Sequence, residues 1–166
     1  MRAFFSFPKR RIGLKKRAAA WLRTPFVEHG RIRGAGVDCA NLVAELLKES
    51  GVEGEFNLPQ YAMDGGKNNE TSQVLLWLES DRRFYCVWHR DGVDPSPLPY
   101  SPALALAGDV LVFNLRSRSA HHAGLMITGE KFIHALFNHG VVMANLKDST
   151  HRSTLVAVYR PLEDVQ

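Results

Sequence analysis

Apolar and polar positions recur with a helical period in the first part of the chain and with short strand-like runs in the last third. A basic first segment that continues into Ala18, Ala19, Ala20, Trp21 and Leu22 predicts a helix over about residues 10–23. It should end near Thr24-Pro25, because the residue before a proline is pushed out of the helical region. In GVDCANLVAELLKESG, residues 36–51, Cys39, Leu42, Val43, Leu46 and Leu47 fall at i, i+3, i+4, i+7 and i+8. That is one face of an amphipathic helix, with Asp38 placed to cap its start and Gly51 to stop it. Residues 52–69 read as loop, TSQVLLWLES as a short helix and RFYCVWH as a strand. DGVDPSPLPYSPA holds four prolines and predicts an irregular surface connection.

Beyond it the pattern changes to short β runs: DVLVF, HAGLMI, KFIHA, GVVMA and TLVAVYR, separated by turn residues such as Thr128-Gly129 and Asn138-His139-Gly140. Helices first and an antiparallel meander second predict an α+β fold. At 166 residues the chain fits a single domain over 1–166, large enough to bury a core without disulfide staples.

Charge changes this picture at one end. Residues 1–33 carry ten Lys/Arg and one acid, a net +9, whereas the remainder sums to −5. A basic arm over about residues 1–17 on a mildly acidic body suits an anionic envelope or a protein partner, although a solvated helix face explains the same charges. No obligatory nucleic-acid partner is expected. No apolar run is long enough to span a bilayer, and MRAFFSFPKRRIGLKKRAAAW puts its short apolar patch before its charges, so no secretory signal is read there. Two cysteines, Cys39 and Cys86, make neither a disulfide framework nor a metal cluster. No metal or other cofactor is expected.

The chemistry-bearing positions are few. Cys39 opens a helix, where partial positive charge and free N–H groups favour a thiolate and can face a developing oxyanion. A cysteine nucleophile also needs a base, and the base an orienter. His122 opens a strand beside the polar loop RSRSAH and suits the base; His121 is its rival. His134 lies on the next strand, about as far from the Thr-Gly turn as His122, so the two should be close cross-strand neighbours. A second imidazole there would hold the first in the right tautomer. The plainer alternative makes Cys39 a small buried hydrophobe and each histidine a hydrogen-bonded structural residue. Cys86, in an aromatic run, reads as core, and His29, His89, His139 and His151 read as surface or loop residues.

Three blocks give these residues a family resemblance. TPFVEHGRIRGAGVDCANLV, AGDVLVF and HAGLMITGEKFIHA, in that order, resemble the NlpC-type family of papain-like cysteine peptidases, which cut bacterial cell-wall peptides. GAGVDC and HAG are most similar to its phage or tail-associated branch. The resemblance implies a papain-like α+β domain whose Cys-bearing helix packs on an antiparallel sheet carrying the histidines. It implies Cys39 as nucleophile, His122 as base and His134 as third member. Phe26, Asp38, Asn41 and His121 are expected beside the substrate. Residues 52–104 are then an insertion shaping the groove. Two positions depart from the family pattern. Phe26 stands where a tyrosine is common, and Ala40-Asn41 replaces Ser-Gly.

The expected activity is cysteine endopeptidase hydrolysis of peptidoglycan stem peptides, at the γ-D-glutamyl–diaminopimelate bond by the family's example. Without a secretory signal, the expected route to the wall is a phage-tail-like or gene-transfer particle, with tail proteins or an anionic envelope as partners. The alternatives are a non-catalytic tail component, or amidase, deamidase or acyltransferase chemistry on the same residues.

Overall fold

The computed structural model describes residues 1–58, 72–91, 100, 104–115 and 119–163. Most of the proline-rich connection, much of the loop at 52–69 and part of RSRSAH lie outside the described residues. A 3-10 turn at Phe4–Ser6 leads into α1 (Pro8–Trp21), a two-stranded ribbon of β1 (Arg31–Ile32) and β2 (Gly36–Val37), and α2 (Cys39–Glu49). Then come α3 (Gln73–Ser80), β3 (Phe84–His89), β4 (Val110–Phe113), β5 (His122–Met126), β6 (Lys131–Leu136), β7 (Gly140–Asn145), α4 (Ser149–Thr154) and β8 (Leu155–Pro161). The expected α+β arrangement is present, with the Cys-bearing helix against an antiparallel sheet.

The six-stranded sheet runs β3-β8-β4-β5-β6-β7, every pair antiparallel. This departs from a plain meander at its last strand, which returns between β3 and β4. Leu155 through Tyr159 are all buried. A strand apolar on both faces belongs inside a covered sheet rather than at its edge. The segment read as an insertion thus supplies β3, the edge partner of β8.

Each face of the sheet has its own apolar layer. Val110, Val112, Ala123, Leu125, Ile133 and Ala135 pack with the Leu42, Val43, Leu46 and Leu47 stripe of α2. Leu111, Phe113, Met126, Phe132, Leu155 and Val158 form the layer on the other face. Each fully buried leucine of α2 contributes about 2 kcal/mol by burial, so the stripe rather than helix propensity seats this helix.

The basic N-terminal segment is docked rather than free. Phe4 and Phe5 are buried, α1 buries Leu14, Ala18 and Trp21, and Ala3 bridges Leu162. Arg10 pairs with Glu163 at 2.9 Å. Pro8 sits in the first turn, where its missing N–H loses no hydrogen bond, and so the helix begins two residues before the expected start.

Cys86 is exposed, not core. It lies on an edge strand whose pairing with β8 shifts register between Cys86 and Trp88, and the irregularity breaks the inward alternation of the aromatic run.

Candidate active site

The start of α2 is fixed by Asp38. Its backbone is extended, and its carboxylate accepts from the Asn41 amide at 2.9 Å, the Asn41 Nδ2 at 3.0 Å and the His29 amide at 2.8 Å. Those three bonds tie the helix start to the loop before the ribbon and leave Cys39 as the first helical residue. Asp38 and Asn41, expected beside substrate, are buried and bonded to each other.

Cys39 meets the sheet where two strands part. Pairing between β5 and β6 is confined to Leu125↔Ile133 and Met126↔Phe132, so the strands separate toward His122 and His134. The Cys39 sulfur lies at this opening. It is 3.9 Å from the His121 carbonyl oxygen and lies near the backbone amide of Ala123. The main chain on both sides of His122 thus lies against the thiol. Only 4% of Cys39 is exposed.

His122 and His134 are joined directly, Nε2 of the first to Nδ1 of the second at 2.9 Å, with ring centroids 5.1 Å apart. Continuing the Leu125↔Ile133 register sets Gly124 rather than His122 opposite His134, so the two imidazoles are diagonal neighbours. Gly124 makes the diagonal possible. A Cβ there would fall 2.8 Å from the Phe132 ring and 3.2 Å from the Ile133 carbonyl oxygen. Phe132 in turn packs edge-on against His134, centroids 4.8 Å apart. The glycine of the HAG motif is therefore the space in which the ring that backs His134 is seated.

Burial sets the resting charges. It pushes the Cys39 thiol up to about 12, helped by the Asp38 carboxylate and opposed by the amides of Ala123, Ala40 and Cys39. This reverses the direction expected from the helix start: desolvation of the charged form outweighs the helix-terminal dipole. Burial likewise holds His122 well below the usual imidazole range, followed by the nearby charges of His134, His121 and His151. His134 falls to about 4 for the same reason, with His151 as second cause. Both shifts favour a neutral thiol beside neutral imidazoles.

With Nε2 committed to His134, the other ring nitrogen of His122, Nδ1, has no hydrogen-bond partner among the described residues. His121 bends back on its own segment, its Nδ1 at 3.0 Å from the Ser119 carbonyl, and offers the site its main-chain oxygen. Phe26 is half-buried, bridges Val37 just before Asp38, and meets Phe137 edge-on at 5.9 Å. Phe137 follows the strand of His134 and is 69% exposed, so the pair forms an aromatic wall at this end of the sheet. His151, read from sequence as a surface residue, lies on α4 with its ring 5.7 Å from that of His134. No local pattern around it signals this; it arrives through the return from β7. Among the described residues no group of three or more His, Cys, Asp or Glu is arranged to hold a metal ion.

The profile of the NlpC/P60 family matches residues 23–160, from the loop before Phe26 to the end of β8. The chain belongs to the NlpC/P60 family. Similar solved structures are an NLP/P60 family protein from Staphylococcus aureus subsp. aureus Mu50, described as similar to lipoprotein, and an NlpC/P60 family protein from Bacillus cereus ATCC 10987. The first is 17% identical with a TM-score of 0.59, covering 95% of this chain and 43% of its own. The second is 15% identical with a TM-score of 0.53, covering 89% and 39%. The NlpC/p60 domain of the peptidoglycan hydrolase SagA is also similar, at 15% identity and a TM-score of 0.54 over 92% of this chain and 98% of that one. At such identities the likeness is one of fold. The chain spans less than half the length of the first two structures. No curated protein matches.

Proposed function

We propose that this NlpC/P60 domain is a cysteine endopeptidase acting on the peptide stems of peptidoglycan, with Cys39 as nucleophile, His122 as base and His134 as the group that orients it. One observation carries the reading: the Cys39 sulfur lies against the main chain flanking His122, whose far nitrogen is held by His134 at 2.9 Å. Membership of a family of cell-wall hydrolases supports the substrate class.

In the proposed reaction, Nδ1 of His122 takes the thiol proton as sulfur attacks the amide carbonyl. The resting pair is neutral, so attack and proton transfer proceed together. The amides of Cys39 and Ala40 at the start of α2 supply positive charge to the oxyanion. The imidazolium then gives its proton to the leaving amine, and water, deprotonated by His122, releases the acyl group and restores the thiol. His134 keeps the His122 proton on Nε2 throughout the waiting state. The proposed bond is γ-D-glutamyl–diaminopimelate, and the proposed carrier is a phage-tail-like or gene-transfer particle.

A second reading, a tail component that keeps the fold without turnover, is favoured by the buried, neutral thiol and by Phe26, which has no hydroxyl to offer a carbonyl. Digestion of purified muropeptides followed by mass spectrometry separates the two. Stem-peptide cleavage that disappears in Cys39→Ala supports the peptidase; intact muropeptides support the inert component. Released ammonia or a transferred acyl group would instead point to amidase or acyltransferase chemistry.

A further inference from the structure

We infer that His151 is a positioning residue for the site: it selects the tautomer of His134 that lets His122 accept the thiol proton. This rests on the peptidase reading of Cys39, His122 and His134.

The argument is one of proton placement. Nδ1 of His151 lies 3.0 Å from the main-chain carbonyl of Asn145, which only accepts, so that nitrogen carries the proton and Nε2 keeps its lone pair. The Asp148 carboxylate, 3.8 Å from the same Nδ1, favours that placement. The Phe132 ring meets His151 at 5.0 Å and Phe113 meets it at 6.1 Å, so the imidazole is walled on the sheet side. It stands nearly perpendicular to His134, at 81° and 5.7 Å between centroids.

The His122–His134 bond by itself has two equivalent polarities, since either nitrogen can donate. Only one serves the reaction. His122 must hold its proton on Nε2 so that Nδ1 is empty; His134 must then accept on Nδ1 and carry its own proton on Nε2, the ring atom turned away from His122. An electron-rich third imidazole packed edge-to-face on His134 favours that N–H and so breaks the degeneracy. His151 thus packs behind His134, with its own ring anchored to the Asn145 carbonyl.

The groups facing this cluster are the Asp148 carboxylate on its own helix, His134 from β6, His122 from β5 and His121 just before β5. His151 is among the groups that hold His122 and His134 below the usual imidazole range. Removing it lets His122 take a proton at higher pH, so the acid limb of the kcat/KM profile should move upward.

The test compares the wild-type chain with His151→Gln, which can still donate to Asn145, and His151→Phe, which keeps the packing. Long-range proton–nitrogen NMR on histidine-labelled protein reads the tautomers, and muropeptide hydrolysis gives the pH profile. Expected are an Nε2-protonated His134 in the wild type and a mixture in both variants. With these should come a fall of about ten- to a hundredfold in kcat at little change in KM, and an acid limb at higher pH. Folded variants with wild-type His134 tautomer and an unmoved acid limb would overturn the inference. If the wild type hydrolyses nothing while the His134 tautomer still responds to His151, the peptidase reading fails and the positioning role stands.

Discussion

His122 and His134 share a hydrogen bond of 2.9 Å although neither is the other's directly paired strand residue. The contact is diagonal, crosses the point where β5 and β6 part, and depends on a glycine between them. From this come expectations that separate a working site from a decorative one.

Cys39→Ala should remove hydrolysis while leaving the fold. The side chain is small and buried, so the stability change should stay near 1 kcal/mol, whereas kcat should fall by about 10⁴-fold or more. Muropeptide mass spectrometry and thermal melts together check it. Residual cleavage near the wild-type rate would sink the nucleophile assignment.

Resting thiol reactivity should run against the usual expectation for a peptidase cysteine. Cys39 is buried with its thiol pushed up to about 12, whereas Cys86 is exposed and raised by its partial burial. Iodoacetamide at neutral pH without substrate should therefore label Cys86 more than about tenfold faster than Cys39. Peptide mapping that finds Cys39 labelled first would mean a standing thiolate and a different resting state.

Folding stability should fall on mild acidification. His134 is held at about 4 in the folded protein, below the usual imidazole value of 6.5, and His122 is depressed as well. A depressed histidine contributes stability that is fully present above the unfolded value and lost as pH falls toward the folded one. The window is therefore about pH 6.5 down to 4, with a loss on the order of 3 kcal/mol for His134. Denaturant melts across that range measure it, and His134→Gln should flatten the slope. A midpoint independent of pH would contradict the burial of both rings.

Gly124→Ala should destabilise the protein by about 1–3 kcal/mol, because the new methyl lands 2.8 Å from the Phe132 ring and 3.2 Å from main chain. Displacing Phe132 also loosens the support of His134, so hydrolysis should decline further than the melting temperature implies. A variant of wild-type stability and rate would show that Phe132 moves without consequence.

Phe26→Tyr adds a hydroxyl at the aromatic wall beside the start of α2. If a missing donor to the carbonyl limits turnover, kcat should rise, by up to about tenfold, with the Phe137 contact kept. An unchanged rate would show that the aromatic wall already does without that hydroxyl.

The helix that begins at Cys39 and the five β runs of the last third were legible because local chemistry defines them. Leu42, Val43, Leu46 and Leu47 could bury only on one face of a helix, and Asp38 could cap it through its own carboxylate. The His122–His134 pairing was legible too, since the Thr-Gly turn sets two strands at comparable distance from it. Sequence alone thus determined the class of fold and named the residues proposed for the site.

Tertiary structure decided the rest. The insertion of β8 beside β4, the outward turn of Cys86 and the arrival of His151 behind His134 depend on strand order and register. Those are global choices in which distant segments compete for the same edge or layer. The charge of the site was decided there as well. The helix start favours a thiolate, but enclosure by the surrounding chain removes the water that would stabilise it, and desolvation is the larger effect.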